Sequence, residues 1–381
     1  MMKIGLLGHG VVGSGVRRII DEGRTEEVSG LSVKRILVKD QKEVSDERMT
    51  LSYADILEDE EIDTVCECMG GLEPAHTFVL DALNHGRNAV TSNKKMLATY
   101  LDELMSAAEE NHVSLMYEAS VGGGIPWISS LNEIRRVDEI ESFRGILNGT
   151  TNYILSGMNE KDADFDEMLA EAQKLGYAER NPADDIDGMD VRYKTVLSCA
   201  AAFDAVLKPQ DVPAYGVRYI SKEDMAYAKE HGRVIKLIGE GAASGHAVHA
   251  FVMPQMLAQN DYFSMISSNI NAVECTSSTL GTAGFTGQGA GSLPTAHAVV
   301  QDLLNLEDHR TMARRYLTAR DVDNHDVCRV FYIRTAKPEV FTGIADQKIN
   351  EHALLTKKVS LEEIDAILKQ DETAFVCGVN E

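Results

Sequence analysis

No run of apolar residues in this chain approaches the roughly 18 needed to cross a bilayer, so a membrane-spanning protein is not expected. Basic residues are also short: 37 Lys and Arg stand against 60 Asp and Glu, a formal charge of −23. That balance argues against nucleic acid and anionic membrane surfaces as partners, because both would be repelled. An anionic cofactor would then need a local basic patch or a nest of backbone amides. The six cysteines, Cys66, Cys68, Cys199, Cys275, Cys328 and Cys377, are scattered, mostly in apolar settings. They have neither disulfide-framework nor zinc spacing, and reduced buried thiols are expected. The first residues run straight into a strand with no signal-peptide apolar core, so the expected location is cytoplasmic.

What remains suits a multidomain α/β enzyme. Hydrophobic residues make up 44% of 381, enough for sizeable cores, and thirty glycines against eight prolines fit neither a disordered nor a fibrous chain. Residues 2–7 read as a buried strand, followed by Gly8-His-Gly10-Val-Val-Gly13 and a helix from Ser14 to Ile20. Strand, glycines and helix in that order form a dinucleotide fingerprint. Gly8 permits the turn, Gly10 lets a pyrophosphate approach the backbone, and Gly13 lets helix and strand pack closely. Val11 and Val12 open the helix whose free amides would meet the phosphate. His9 is expected to fill space.

The next strand, Val33–Val38, ends in Lys39-Asp40, offering a base for a 2′-phosphate and an acid for a ribose hydroxyl. Lys34, Arg35 and Lys39 tip the expectation slightly toward NADP. Further strands at 65–69 and 88–91, with a helix at 75–85 between them, give a βαβαβ alternation and hence a doubly wound parallel sheet. Thr91-Ser-Asn-Lys94-Lys95 then lies at the carboxyl end of a strand, where such sheets bind ligands. A strand at 113–118 leads into a turn broken by Gly122, Gly123, Gly124 and Pro126, with Glu118 the one carboxylate nearby. As a bare pattern it is a tight turn or a weak monovalent-cation site.

The densest chemistry is in Gly176–Lys194, where Glu179, Asp184, Asp185, Asp187 and Asp190 crowd a segment broken by Gly and Pro. It is expected to be a loop entering a helix near Gly188. Asp190 and Lys194, four apart, share one helix face. A surface ion pair is the ordinary meaning of such spacing, but the helix continues Thr-Val-Leu-Ser-Cys-Ala-Ala-Ala-Phe203, too apolar for a solvated one.

Gly8-x-Gly10-x-x-Gly13, Thr91-Ser-Asn-Lys94, Glu118 through Pro126, Gly149-Thr150-Thr151-Asn152, Gly176-Tyr-Ala-Glu179, Asp185 through Lys194, and Gly289-Ala-Gly291 with Pro294-Thr295-Ala296 occur in the order and spacing of homoserine dehydrogenases. The chain resembles that family over roughly residues 1–310. The resemblance implies reversible NAD(P)H-dependent reduction of L-aspartate 4-semialdehyde to L-homoserine, in threonine and methionine biosynthesis. By resemblance, Lys94 and Lys194 look like the active-site lysines, with Lys194 the proton donor. Glu179, Asp185 and Asp190 look like the substrate-binding acids, lined by Tyr177 and Thr150. Gly8, Gly10, Val11, Val12, Gly13, Lys39, Thr91, Lys94, Gly289 and Gly291 would meet NADP(H) or NAD(H). Glu118, with the carbonyls of Val121, Gly123 and Ile125, resembles the family's sodium site. Thr91-Ser-Asn-Lys-Lys in place of Thr-Ala-Asn-Lys-Ala, and His297 where a small residue is common, depart from the pattern without touching a named role.

The expected organisation is a Rossmann domain over 1–126, completed by a returning helix at about 290–310, and an α/β catalytic and dimerisation domain over 127–290. A small ACT-like module over 326–381 follows, read as β-α-β-α-β with helices at 339–349 and 361–368. That tail would be regulatory or structural. Strand-like runs in 260–290 suggest a homodimer or higher homo-oligomer. The reading from a different class is a catalytically silent dinucleotide-binding regulator.

Overall fold

The computed structural model describes residues 1–310 and 317–380. The chain forms two compact units: Met1–Val137, Ala200–Val206 and Gly287–Thr318 make the first, and Asp138–Cys199, Leu207–Thr286 and Ala319–Glu381 the second.

The first unit is built on six parallel strands: β1 (Met2–Leu7), β2 (Leu31–Leu37), β3 (Met49–Thr50), β4 (Thr64–Glu67), β5 (Asn88–Thr91) and β6 (Leu115–Met116). Their order is β3-β2-β1-β4-β5-β6, which puts the topological switch between β1 and β4, the place where doubly wound sheets bind ligands. The central strands are apolar on both faces, as burial under helices on both sides requires: Ile4, Leu6, Leu7, Val65 and Cys66 are fully buried. Around the sheet lie helices α1 (Val11–Glu22), α2 (Ala75–Asn84), α3 (Lys94–Glu110) and α4 (Trp127–Ile134). Helix α1 packs through Val16 and Ile20 against Ala296, Val299 and Leu303 of the returning helix Ser292–Glu307, on one face of β1. Gly15 is where those helices touch, since a Cβ there would lie 2.8 Å from the Ser292 carbonyl oxygen. The strand expected over 113–118 is shorter, because the chain turns into a 3-10 helix at Glu118–Ser120.

The second unit carries helices α5 (Gly149–Lys161), α6 (Phe165–Lys174), α7 (Met189–Phe203, whose end belongs to the first unit) and α8 (Lys222–Glu230). Its ten-stranded mixed sheet comprises β7 (Ile140–Ile146), β8 (Arg233–Ser244), β9 (Ala247–Ala258), β10 (Ile270–Ser277), β11 (Gly281–Gln288), β12 (Cys328–Arg334), β13 (Ala345–Lys348), β14 (Ala353–Thr356), β15 (Val359–Ser360) and β16 (Phe375–Val379). The order runs β11-β10-β7-β8-β9-β16-β12-β14-β13, with β15 beside β12. In the chain order of helices, α9 is Ser292–Glu307 and α10 is Leu361–Leu368.

Two expectations for the tail are corrected. Residues 326–381 are not a separate module: β16 pairs in parallel with β9 (Gln255 beside Gly378), and β12 pairs antiparallel with β16, so the tail extends the catalytic sheet. Phe251 and Met253 of β9 share one core with Phe331, Ile333, Phe341, Ile364 and Val376. The helix expected over 339–349 is a single 3-10 turn, Pro338–Phe341, followed by strand β13. Gly343 follows that turn, a poor residue for continuing a helix, and Ala345–Lys348 is drawn into antiparallel pairing with β14. Within the tail the strand order is β16-β12-β14-β13, with α10 between β15 and β16 and the first expected helix reduced to one turn.

Candidate active site

In the first unit the glycine turn has the shape that its spacing requires. Gly8 has φ +94°, a conformation that disfavours side chains. A Cβ on Gly13 would lie 2.0 Å from the Gly8 carbonyl oxygen, whereas a Cβ on Gly10 would meet nothing within 4 Å. The open side of the turn is thus at Gly10, at the start of α1, whose first amides have no side-chain cap. Val11 is largely exposed and Val12 half-buried beside this opening. These residues fit a pyrophosphate held by backbone amides. Burial, and secondarily Arg17, push His9 below the usual imidazole range, which suits a neutral filler.

The cationic cluster expected after β2 is not assembled. Lys34 turns to Asp59 (2.7 Å) and also binds Glu61, while Arg35 donates to the Glu47 carbonyl. Residues adjacent on a strand face opposite ways, and the acids of the next loop capture Lys34. Lys39 is exposed, and the Asp40 carboxylate accepts from the Lys42 amide.

At the carboxyl ends of β4 and β5, Thr91 donates to buried Glu67 (2.5 Å), and Asn93 donates through its side chain to the Gly71 carbonyl (2.8 Å). Asn93 caps α3 by accepting from the Met96 amide. Lys94, the first residue of that helix, is half-buried.

In the turn that follows, the Glu118 carboxylate accepts from the amides of Ile128 (2.9 Å) and Ser129 (2.7 Å) at the start of α4. The Ile125 carbonyl accepts from the Trp127 amide. Asp302 of α9 accepts from the Glu118 amide at 2.8 Å. Burial raises both carboxyls, and the Glu118 charge raises Asp302 further. The Glu118 side chain thus holds the start of α4 through two backbone amides. Gly123 closes against Gly289, where a Cβ would stand 2.5 Å from the Gly289 backbone. Gly291, at φ +130°, starts α9.

In the second unit the acidic segment folds as expected: a loop, one short turn of helix at Ala183–Ile186, then a break at Gly188 (φ +79°) into α7. Asp190 and Lys194 form an ion pair at 2.7 Å with side chains 7% and 9% exposed. Lys194 Nζ also donates to the Leu147 carbonyl at 2.6 Å. Asn148, at the start of α5, uses both hydrogens of its amide nitrogen: it donates to Asp185 (2.7 Å) and to Asp190 (2.8 Å). Its amide oxygen accepts from the Thr151 backbone, capping α5. Two acids and a lysine are thereby gathered at one helix N-terminus. Thr150 donates to the Tyr177 carbonyl (2.6 Å), which ties the acidic loop to the same helix. Tyr177 itself is 40% exposed. Glu179 is exposed, and its carboxylate makes no hydrogen bond among the described residues. Asp187 is drawn off by Arg218. Asn148, one residue before the quoted Gly-Thr-Thr-Asn motif, was missed in the sequence. An N-cap residue followed by an apolar-faced helix was the available signal.

Comparison with known proteins covers both units. Residues 8–118 match the family model described as homoserine dehydrogenase, NAD binding domain, and residues 126–304 match homoserine dehydrogenase. A Synechocystis homoserine dehydrogenase is 40% identical over 316 residues, 80% of this chain and 73% of that protein. The crystal structure of a Thiobacillus denitrificans homoserine dehydrogenase superposes with TM-score 0.88 at 30% identity, covering 100% of this chain and 98% of the other. A hyperthermophilic archaeal homoserine dehydrogenase in complex with NADPH shares the fold at TM-score 0.70 and 24% identity, covering 82% and 99%.

Proposed function

The chain belongs to the homoserine dehydrogenase family, and on that premise we propose how its residues share the NAD(P)-dependent interconversion of L-aspartate 4-semialdehyde and L-homoserine. The chemistry that a nicotinamide dinucleotide supplies when bound is hydride transfer to the aldehyde carbon, leaving an alkoxide. Lys194 protonates that oxygen in reduction and takes the proton back in oxidation. Lys94 supplies a second positive charge that stabilises the developing oxyanion. Asp190 and Asp185, held by Asn148, orient Lys194 and the polar end of the substrate. Glu179 meets the substrate ammonium, with Tyr177 and Thr150 lining the pocket. Gly8, Gly10, Val11, Val12 and Gly13 cradle the pyrophosphate, while Thr91, Gly289 and Gly291 line the nicotinamide side.

The observation that supports this reading is the buried Asp190–Lys194 pair at the capped start of α5. A buried ion pair costs desolvation free energy that an apolar pair of the same shape would not, so its retention on an apolar helix suits chemistry better than stability. The test is steady-state kinetics in both directions. Lys194→Ala should lower kcat by about two to three orders of magnitude, the loss of one oxyanion-stabilising group. Glu179→Ala should act mainly on the amino-acid KM, because its contact is alike in ground and transition states. A Lys194→Ala enzyme with near wild-type kcat at every pH removes Lys194 as the proton donor.

Finer parts of the reading rest on fewer residues. A modest preference for NADP(H) rests on Lys39, now that Lys34 and Arg35 are engaged elsewhere; the NADPH-bound archaeal relative with the same fold is in keeping with it. A sodium ion at 118–125 would be held by Glu118 with the carbonyls of Val121, Gly123 and Ile125, and no step is routed through it. Strand β11, at the edge of the sheet with alternate residues exposed, supports a homodimer or higher homo-oligomer, which sedimentation tests. A cytoplasmic role in threonine and methionine biosynthesis follows the family; no described helix is long and apolar enough to cross a membrane.

A further inference from the structure

Glu67 closes β4 with its side chain fully buried, 0% exposed, and no Lys, Arg or His is bonded to it among the described residues. Three neutral donors hold it instead: the amides of Met69 (2.7 Å) and Gly70 (3.0 Å) on one oxygen, and the Thr91 hydroxyl (2.5 Å) on the other. A carboxylate buried without a cation is costly, and stability alone does not favour it. Burial raises its carboxyl, with the hydrogen bonds opposing that shift.

The surroundings say what the carboxylate holds in place. Thr91, while donating to Glu67, accepts from the Asn93 amide at 3.0 Å, and Asn93 reaches the Gly71 carbonyl at 2.8 Å. Loop 69–71 is therefore fastened at both ends, by Glu67 through two amides and by Asn93 through one carbonyl. The glycines within it leave open space: a Cβ on Gly70 (φ +74°) or Gly71 (φ +79°) would meet nothing within 4 Å. Lys94 follows Asn93 directly. One buried carboxylate thus sets the relative positions of a glycine loop with an open side and the residue that starts α3.

We propose that Glu67 is a positioning residue for the reaction, fixing loop 69–71 and the Thr91–Lys94 segment so that Lys94 and the nicotinamide end of the cofactor keep one mutual geometry. The inference rests on the reading of Lys94 as catalytic and of the carboxyl ends of β4 and β5 as the nicotinamide side. It goes beyond that reading in assigning a role to a residue that touches neither substrate nor Lys94.

The test uses the full-length enzyme with Glu67→Gln and Thr91→Val, which breaks the same link without altering the buried charge, alongside Lys94→Ala. Measured are kcat and KM in both directions, the NADPH dissociation constant from nucleotide fluorescence, and the primary isotope effect with 4-deuterated NADPH. Misplacing a reacting group by about 1 Å costs up to about 100-fold in rate. Glu67→Gln and Thr91→Val should each lower kcat by about 10- to 100-fold, leave the semialdehyde KM unchanged, and raise the isotope effect as hydride transfer becomes rate-limiting. A merely structural role would lower stability without moving the isotope effect. If Glu67→Gln does not fold, Glu67→Asp, which keeps the charge and shortens its reach to loop 69–71, carries the test, because Thr91→Val also alters the nicotinamide side directly. Wild-type kcat and isotope effect in the folded variants overturn the inference, whatever Lys94→Ala does. A slowed Glu67→Gln beside an unimpaired Lys94→Ala removes Lys94 from the proposed mechanism and keeps the hold of Glu67 on the nicotinamide side.

Discussion

Each unit buries an ionisable group with no opposite charge bonded to it among the described residues, and the two are of opposite sign. In the first unit Glu67 sits among two amides and a hydroxyl; in the second, Lys236 of β8 is 2% exposed and donates to the Asn152 amide oxygen (2.9 Å), the Ser156 hydroxyl (3.1 Å) and the Ile266 carbonyl (2.6 Å). Both seats are built from neutral dipoles, and both lie in the element network that carries a proposed catalytic group: Glu67 behind Thr91–Lys94, Lys236 against the buried face of α5, whose first residues gather Asp185, Asp190 and Lys194. Burial moves each group toward its neutral form, so the two seats answer pH in opposite directions. The raised carboxyls of Glu67, Glu118 and Asp302 hold their protons to higher pH in the folded chain than in the unfolded one, and their contribution to stability is lost as pH rises through their folded values. Lys236, pushed down to about 8, gives the second unit stability that rises with pH.

The strongest way to break the comparison is to remove the tail. If the second unit is one body, deleting residues 326–381 takes Phe331, Ile333, Phe341, Leu361, Ile364 and Val376 out of the core shared with Phe251 and Met253, and bares the edge of β9. Burying each such side chain is worth about 1.5–3 kcal/mol, so the six together, about 9–18 kcal/mol, are as large as the roughly 5–15 kcal/mol by which a domain is stable. The truncated chain should be insoluble or lack a cooperative unfolding transition. A soluble truncated enzyme with normal turnover would make the tail a separable module.

The pH contrast is sharpened by Lys236→Met. For Lys236 the folded value of about 8 lies below the ordinary 10.5, so between those limits the unfolded chain binds the extra proton and stability increases with pH. The contribution is about 3 kcal/mol across the window, at roughly 1.4 kcal/mol per pH unit. Urea unfolding at pH 7.5 and pH 10 should show a smaller pH-dependent gain in Lys236→Met than in the wild type. Equal gains in both would mean that Lys236 does not titrate in this range.

These supports also mark where the sequence stopped being legible. The glycine turn and the Asp185–Lys194 segment could be read because their parts lie within a few residues of one another, and strand–turn–helix context or helical spacing sufficed. Glu67 was visible only as a polar residue in a strand; its partners include Thr91, 24 positions away. Lys236 lies 84 positions from Asn152, and Asp302 lies 184 from Glu118. No local period encodes such pairs. The ion pairs of Lys34 were illegible for the same reason, since its acids, Asp59 and Glu61, come from another loop. Residues 339–349 were misread because short apolar runs fit strand or helix alike, and the pairing of β13 with β14 decided for a strand.

Within the first unit, the glycines separate folding from binding. Gly13→Ala forces a Cβ to within 2.0 Å of the Gly8 oxygen and should cost about 1–3 kcal/mol of stability, as overpacking does. Gly10→Ala meets no protein atom within 4 Å, so stability should change by no more than about 1 kcal/mol while NADPH affinity falls more than about tenfold. Thermal unfolding with a fluorescence titration of NADPH distinguishes the two, and loss of stability in both would deny that the open side at Gly10 is the cofactor side.

The smallest effect belongs to Lys39. Exposed and just past β2, it is the remaining member of the expected cationic cluster, and a solvated contact with a 2′-phosphate is weak and screened by salt. Lys39→Ala should raise the KM for NADPH by about fivefold, leave that for NADH within about twofold, and lose its effect at high ionic strength. The selectivity matters more than the size, because both cofactors share every contact except the one at the 2′ position. Asp40 does not oppose this reading: its carboxylate is occupied with the Lys42 amide, so it competes less for the lysine than adjacency in sequence suggests. Equal changes for NADPH and NADH would place Lys39 in solvent and leave the 2′-phosphate to be met by some other group.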